Sequence, residues 1–269
     1  MIGSSRESLA ACRDGLDARR HDDGFAGLSG ELFAVASVLD AESPLRNVLA
    51  DSGQPHSVRE ALVRQVFGGR VSDLALDLIV LVTGRRWASD LDLVLAIEQL
   101  ADQAAFAVAD AQGSLDATEE ELFLFGRAVD ASSELQMALT DPAQSSATKA
   151  AIVAQLLEGR ATQATREVLE YAVGHLHGRR IDSVIDELCG LAAQQRERVV
   201  AEVRVAAPLD QEQQRRLAEA LTTLKGRTVR LNVAVDPSML GGVHVRIGDE
   251  VIDGSVTSRM EQASRAILG

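Results

Sequence analysis

Apolar side chains recur every three to four positions along the first 197 residues, and from Val199 the period drops to two. The early part therefore reads as helices and the end as strands. Residues 1–20 predict a first helix with Leu9, Cys12 and Leu16 along one side, interrupted by the glycines and acids of His21–Gly30. Glu31–Asp40 resumes as a helix, and Ser43-Pro44 opens a short one running through Leu49. After a loop at Asp51–Pro55, Ser57 is placed to cap a helix over Val58–Phe67, with Glu60 completing a capping box and Gly68-Gly69 ending it. Leu74–Val82 is apolar nearly all round, which predicts the buried central helix of a bundle. Gly84-Arg85-Arg86 turns the chain, and a long helix is expected over Asp90–Ala111.

The next segment repeats the first at an offset of 90 residues. Between Glu31–Arg70 and Glu121–Arg160, 15 of 40 positions are identical, and the matches include Asp, Gly and Arg punctuation as well as leucine. The turn recurs as GRRW from Gly84 and GRRI from Gly178, after a four-residue insertion. Two copies of one helical bundle follow, over 1–108 and 109–197, with the helix from about 91 finishing the first and entering the second. Two copies with so long a period are domains rather than a solenoid array.

The last segment, 198–269, has the signature of a small α/β domain. Val199, Ala201, Val203 and Val205 alternate with Val200, Glu202 and Arg204, and Pro208 ends that strand. Asp210 and Gln213 have capping-box spacing before a helix carrying Leu217, Ala220, Leu221 and Leu224 on one face. Val229–Val235 is a second alternating strand, ended by Asp236-Pro237, and Val243, Val245 and Ile247 make a third, with His244 and Arg246 on its other face. A two-residue Gly248-Asp249 loop sets Val245 opposite Ile252, and Ser255 is an N-cap candidate for a last helix through Leu268. The fold class expected is α+β: two tandem all-α bundles followed by a small mixed α/β domain.

Composition narrows the function classes. Aromatics are only 3% against 46% hydrophobic residues, which suits helix packing better than deep aromatic-lined ligand pockets. A net charge of −13 argues against nucleic-acid binding, which needs a basic face. The charge is uneven: from Arg196 onward 11 basic and 10 acidic residues nearly cancel, leaving −14 on residues 1–195. Cys12 and Cys189 are far apart with no CxxC and read as reduced bystanders, in keeping with a cytosolic compartment. MIGSSRESLA lacks the apolar segment of a secretory signal. The most apolar run, Leu74–Val82, is far short of the roughly 20 residues a membrane span needs. A soluble chain is expected, reaching a membrane only through a partner.

No catalytic, cofactor or metal residue emerges. GxxxxGK[ST] and GxGxxG are both absent, and Gly241-Gly242 and Gly248 flank a hairpin, where backbone geometry accounts for them better than phosphate binding. His175-x-His177 invites a metal reading, but helical spacing would put the two rings on different faces, so a solvated helix end near Arg179 and Arg180 is expected. His244 has no nucleophile that spacing can identify. Asp249, Glu250 and Asp253 fit turn and helix-start chemistry. Arg85-Arg86 and Arg179-Arg180 read as solvated turn or helix-terminal charges.

One ordered set of features carries a resemblance. VAEVRVAAPLDQEQQRRLAEAL, then VDPSMLGG, IGDEVIDGSV and the Arg259-Met260-Glu261 helix start, resemble the delta subunit of bacterial F-type ATP synthases, whose mitochondrial counterpart is the oligomycin-sensitivity-conferring protein. The similarity runs over about Leu91–Leu268, and the duplication looks like the long form of that subunit. The resemblance implies a non-catalytic stator role. In that family the helical domain binds N-terminal helices of the alpha subunits, and the C-terminal domain joins the b subunits of the peripheral stalk, so that the head does not turn with the rotor. It implies no small-molecule substrate, no cofactor, no direct membrane insertion and a place on the cytoplasmic face of the bacterial cell membrane. A free-standing acidic helical adaptor, or an enzyme using His244 or Asp253, are the alternatives from other classes.

Overall fold

A computed structural model describes residues 3–197, 199–225, 229–236, 239, 241–247 and 250–253. The chain divides into two compact units, 1–195 and 196–269.

In the first unit, α1 (Ser4–Asp17) buries Ser5, Ser8, Leu9, Cys12 and Leu16, a single stripe at helical spacing. A 3₁₀ turn at Phe25–Gly27 leads into α2 (Leu28–Ala41), followed by α3 (Ser43–Ala50), α4 (His56–Phe67) and α5 (Asp73–Thr83). Helix α4 departs from expectation at its start. It begins at His56 straight after Pro55, with no side-chain cap, so Ser57 lies within the helix. Glu60 pairs instead with Arg64 one turn on, at 3.0 Å.

Helix α6 (Asp90–Ala111), not α5, occupies the centre. It buries Leu93, Val94, Ile97, Leu100, Ala104, Ala105 and Phe106, while α5 leaves Asp73 and Asp77 at the surface. The alanines of α6 let neighbouring helices approach closely, and truncating a fully buried leucine such as Leu100 would cost about 2–5 kcal/mol. The chain continues through α7 (Leu115–Ala131), α8 (Ser133–Thr140), α9 (Ser146–Leu157), α10 (Gln163–Ala172) and α11 (Ile181–Glu197), of which α7 and α10 pack on α6. One continuous hydrophobic core extends from Leu9 to Ala192.

The 90-residue offset recurs in three dimensions. Adding 90 to the bounds of α3 and α4 gives those of α8 and α9. Glu31 accepts from the Ser72 backbone N–H at 3.0 Å and hydroxyl at 2.6 Å at the start of α5; Glu121 accepts from Thr162 in the same two ways, both at 2.9 Å, at the start of α10. Asp51 and Asp141 each accept from the backbone N–H two residues on, at 2.8 Å, making the same turn. The residue opening α4 or α9 presses on the glycine after α5 or α10: a side chain at Gly84 would meet His56, and one at Gly174 would meet Ser146. Such shared detail follows from two copies of one sequence plan solving the same packing problem.

In the second unit, β1 (Val199–Val205), α12 (Gln211–Lys225), β2 (Val229–Val235), β3 (Val243–Ile247) and β4 (Glu250–Asp253) form a four-stranded sheet ordered β2-β1-β3-β4 with one helix. The β1–β2 pair is parallel, as a strand–helix–strand crossover requires, and the other two pairs are antiparallel. Ala201, Val203, Val205, Leu221, Val229, Val245 and Ile247 form its core. The expected pairing of Val245 with Ile252 is present. Asp210 caps Gln213 N–H at 2.7 Å and Gln213 returns a hydrogen bond to Asp210 N–H at 3.0 Å, a complete capping box. Only part of the predicted face of α12 is covered: Leu221 is buried, Leu217 half-buried, and Leu224 stands exposed. Gly241 and Gly242 have φ of +140° and +89°, which explains the glycines before β3. The Gly248-Asp249 loop and the last helix from Ser255 lie outside the described residues. The fold class is α+β.

Candidate functional site

Among the described residues, the most elaborate polar structure lies along the seam between the two copies. Helices α2 and α10 meet side by side at a constant offset of 138 residues. Ser29 donates to Glu167 at 2.8 Å, Phe33 stacks on Tyr171 with ring centroids 4.3 Å apart, and Ser37 Oγ lies 3.5 Å from His175 Nε2. Both sequence numbers rise together, so the helices run parallel. Just beyond, Asp40 Oδ1 lies 3.6 Å from His177 Nδ1.

His177 is the surprise of this seam. Rather than ending a solvated helix, its side chain is 7% exposed. Helix α10 stops at Ala172, and His177 adopts φ +50°, which turns its ring inward. Nε2 comes within 2.8 Å of Glu98 Oε1 on α6, and the same oxygen accepts from the Tyr171 hydroxyl at 2.8 Å. The His175 ring stacks on Tyr171 with centroids 4.0 Å apart. Burial alone would lower the His177 pKa, but the Glu98 hydrogen bond and the charges of Glu98 and Asp40 outweigh it and raise it above the usual histidine value. Burial, reinforced by Glu98 and Glu187, pushes the Asp102 carboxyl well above its ordinary range despite Arg179. Burial also pushes the Tyr171 phenol up, helped by Glu98. The result is a buried histidine–carboxyl latch joining elements of both copies.

Helical spacing hid this cluster, because α10 was expected to continue to its histidines. A usable signal lay in the repeat itself. At the 90-residue offset Leu81 of the first copy becomes Tyr171, and His175 and His177 lie within the four-residue insertion that precedes the recurring Arg179-Arg180 turn.

The other sequence candidates fall elsewhere. Arg180 is exposed and bridged to Asp182, whose carboxyl the Arg180 hydrogen bonds hold down at about 2. Arg179 is drawn into the seam, 2.9 Å from Glu187 and 4.0 Å from Glu98. Arg86 is exposed, and its carbonyl accepts from Ser8 at 2.7 Å; the Arg85 carbonyl accepts from the buried Arg59. His244 pairs across the sheet with Arg204 and Asp253. Cys12 is buried, its thiol pushed up to about 12 by burial, and Cys189 is free and half-buried. Among the described residues no group of three or more His, Cys, Asp or Glu could hold a metal ion, and no helix is long and apolar enough to cross a membrane.

Exposed apolar side chains lie on both copies: Val38, Val48 and Val58 on the first, and Phe123 and Leu124 on α7, Met137 on α8 and Leu156 on α9 on the second. In the second unit Val251 and Ile252 are exposed on the edge strand β4. Surfaces of this kind offer contacts to other proteins rather than a pocket for chemistry.

Comparison with known proteins gives this surface a setting. The family model for the ATP synthase delta (OSCP) subunit matches residues 102–267. The chain is 42% identical over 265 residues to ATP synthase subunit delta of Streptomyces avermitilis, covering 98% of this chain and 97% of that one. The same subunit of Kineococcus radiotolerans is 39% identical, covering 99% and 98%, and that of Nocardia farcinica 40%, covering 99% and 100%. These relatives span the first copy, which the family model leaves outside its match. The chain therefore belongs to the ATP synthase delta (OSCP) subunit family.

Proposed function

We propose that this chain ties the catalytic head of the ATP synthase to its membrane-anchored b subunits, so that rotor torque is resisted and proton flow is coupled to ATP synthesis. The chain is a non-catalytic subunit of the peripheral stalk. The finer assignment divides that task between its two units. The helical unit grips N-terminal helices of the alpha subunits, and the α/β unit meets the b subunits, at the cytoplasmic face of the bacterial cell membrane. Residues 1–108 and 109–197 are two copies of one helical bundle sharing α6 from about residue 91, each a candidate for the head-binding role, with packing of the first copy along the b subunits as the alternative.

The observation that carries the reading is relatedness along the whole chain to delta subunits of the same two-copy length. Exposed apolar side chains on both units support it, since a coupler needs two docking faces and no pocket. The test is reconstitution. Membranes stripped of this subunit should lose the catalytic head on washing, and adding the purified chain should restore head retention and proton-coupled synthesis. Equal retention and coupling without the chain would refute the role.

A further inference from the structure

The seam between the copies has a counterpart whose aromatic side chain stands open to solvent. On α2, Phe33, Ser37 and Asp40 form the row on which α10 and its following turn sit. Adding 90 gives Phe123, Arg127 and Asp130 on α7, the same row of the second copy, and all three are exposed. Phe33 is 7% accessible beneath Tyr171, whereas Phe123 is 62% accessible. Leu124, beside it, is also exposed, where the first copy has the small Ala34. One sequence plan thus produces a helix-covered aromatic row in one copy and an exposed one in the other.

From this we propose that the Phe123–Arg127–Asp130 row of α7 is the seat of a helix from another subunit of the same assembly, lying parallel to α7 as α10 lies parallel to α2. The internal seam states what that helix must carry. It needs an aromatic side chain to stack on Phe123, as Tyr171 stacks on Phe33. About one turn later it needs an acceptor or acid for Arg127, while Asp130 already faces the charge of Arg180 from its own copy. Leu124 adds apolar surface for the flank of the same helix.

A second copy of this chain does not meet that description. In the α10 role it could offer only its own α10, already seated on α2, or α5, where the corresponding positions are Asp77 and Leu81. Leu81 packs directly against Gly15 of α1, and α5 offers no aromatic side chain to stack on Phe123. The occupant therefore comes from a different protein, which rests on the stalk reading given above.

The experiment uses the full chain carrying Phe123→Cys, with peptide-level mass spectrometry to separate the introduced thiol from those of Cys12 and Cys189. Maleimide labelling is timed on the isolated chain and on the chain assembled into ATP synthase. Labelling should be fast in isolation and slow at least about tenfold on assembly, as expected where a contact excludes water. A photo-reactive phenylalanine at position 123 should then cross-link to a segment of another subunit with helical periodicity and an aromatic residue at the cross-link. Phe33→Cys is the internal control, slow in both states. If the chain assembles but the thiol introduced by Phe123→Cys labels equally fast, the proposal is overturned while the stalk reading stands. If that thiol is already slow in isolation, the chain's own residues cover the row and the proposal is overturned. A cross-link to a non-helical segment also overturns it. If the chain does not join the assembly at all, it is the stalk reading that fails.

Discussion

Replacing His177 by alanine tests the latch at the seam most directly. The change leaves Glu98, whose side chain is 8% exposed, with the Tyr171 hydroxyl as its one remaining hydrogen-bond donor on that oxygen, and Arg179 at 4.0 Å. Loss of a buried charged hydrogen bond, with one donor retained, costs about 2 kcal/mol. Alanine at a positive φ adds about 1 kcal/mol that does not depend on pH. For a unit of this size each kcal/mol moves the melting temperature by about 2–4 °C, so a fall of roughly 6–12 °C is expected at pH 6. The sign of the pH dependence follows from linkage. His177 has a folded pKa above its unfolded value of 6.5, so its contribution is fully present below pH 6.5 and is lost as pH rises through the folded value. The groups facing it are Asp40 from α2, Glu98 from α6, Tyr171 from α10 and Arg179 after it. The assay is thermal unfolding followed by the fluorescence of Trp87, the single tryptophan of the chain, which is buried in the helical unit with its indole N–H on the Val82 carbonyl at 3.0 Å. The gap between wild type and His177→Ala should narrow from pH 6 to pH 9. His177→Asn, which tolerates positive φ and keeps a donor without a charge, should fall between the two and show no such pH dependence. A gap that stays constant over that range would refute the charged latch.

Three further outcomes are expected. Glu31→Ala and Glu121→Ala each remove an acceptor serving a helix start, and should destabilise the helical unit by similar amounts, about 1–2 kcal/mol, by Trp87 fluorescence. Gly174→Leu drives a side chain into Ser146 and its backbone and should cost about 1–3 kcal/mol by the same assay, whereas Gly190→Ala, with open space beside it, should cost nothing measurable. Asp210→Ala removes the reciprocal cap of α12 and should lower the stability of the α/β unit by about 1 kcal/mol, seen as faster amide exchange in α12 with α1–α10 unchanged.

Local chemistry made much of this fold legible in the sequence. Period-two alternation and hairpin geometry set Val245 against Ile252, and Asp210 with Gln213 announced their capping box. The repeat foretold matching bounds for α3 with α8 and α4 with α9. Ser57 misled because Pro55 holds φ at −55° and starts the helix at once, leaving the serine inside it. Leu74–Val82 looked most central because every side was apolar, but α6 is the helix that both copies enclose. The histidine latch was least legible, because a single left-handed residue redirects the ring and its partners come from 79 and 137 positions away. Spacing along one helix carries no information about such partners.

Helix α6 is held by both copies at once, and that fixes how a load would travel. Its 22 residues make a rod about 33 Å long. A pull on the first copy passes to the second through an unbroken ladder of backbone hydrogen bonds, with no linker to bend between them. The duplication therefore lengthens the helical unit without placing a linker between its two copies.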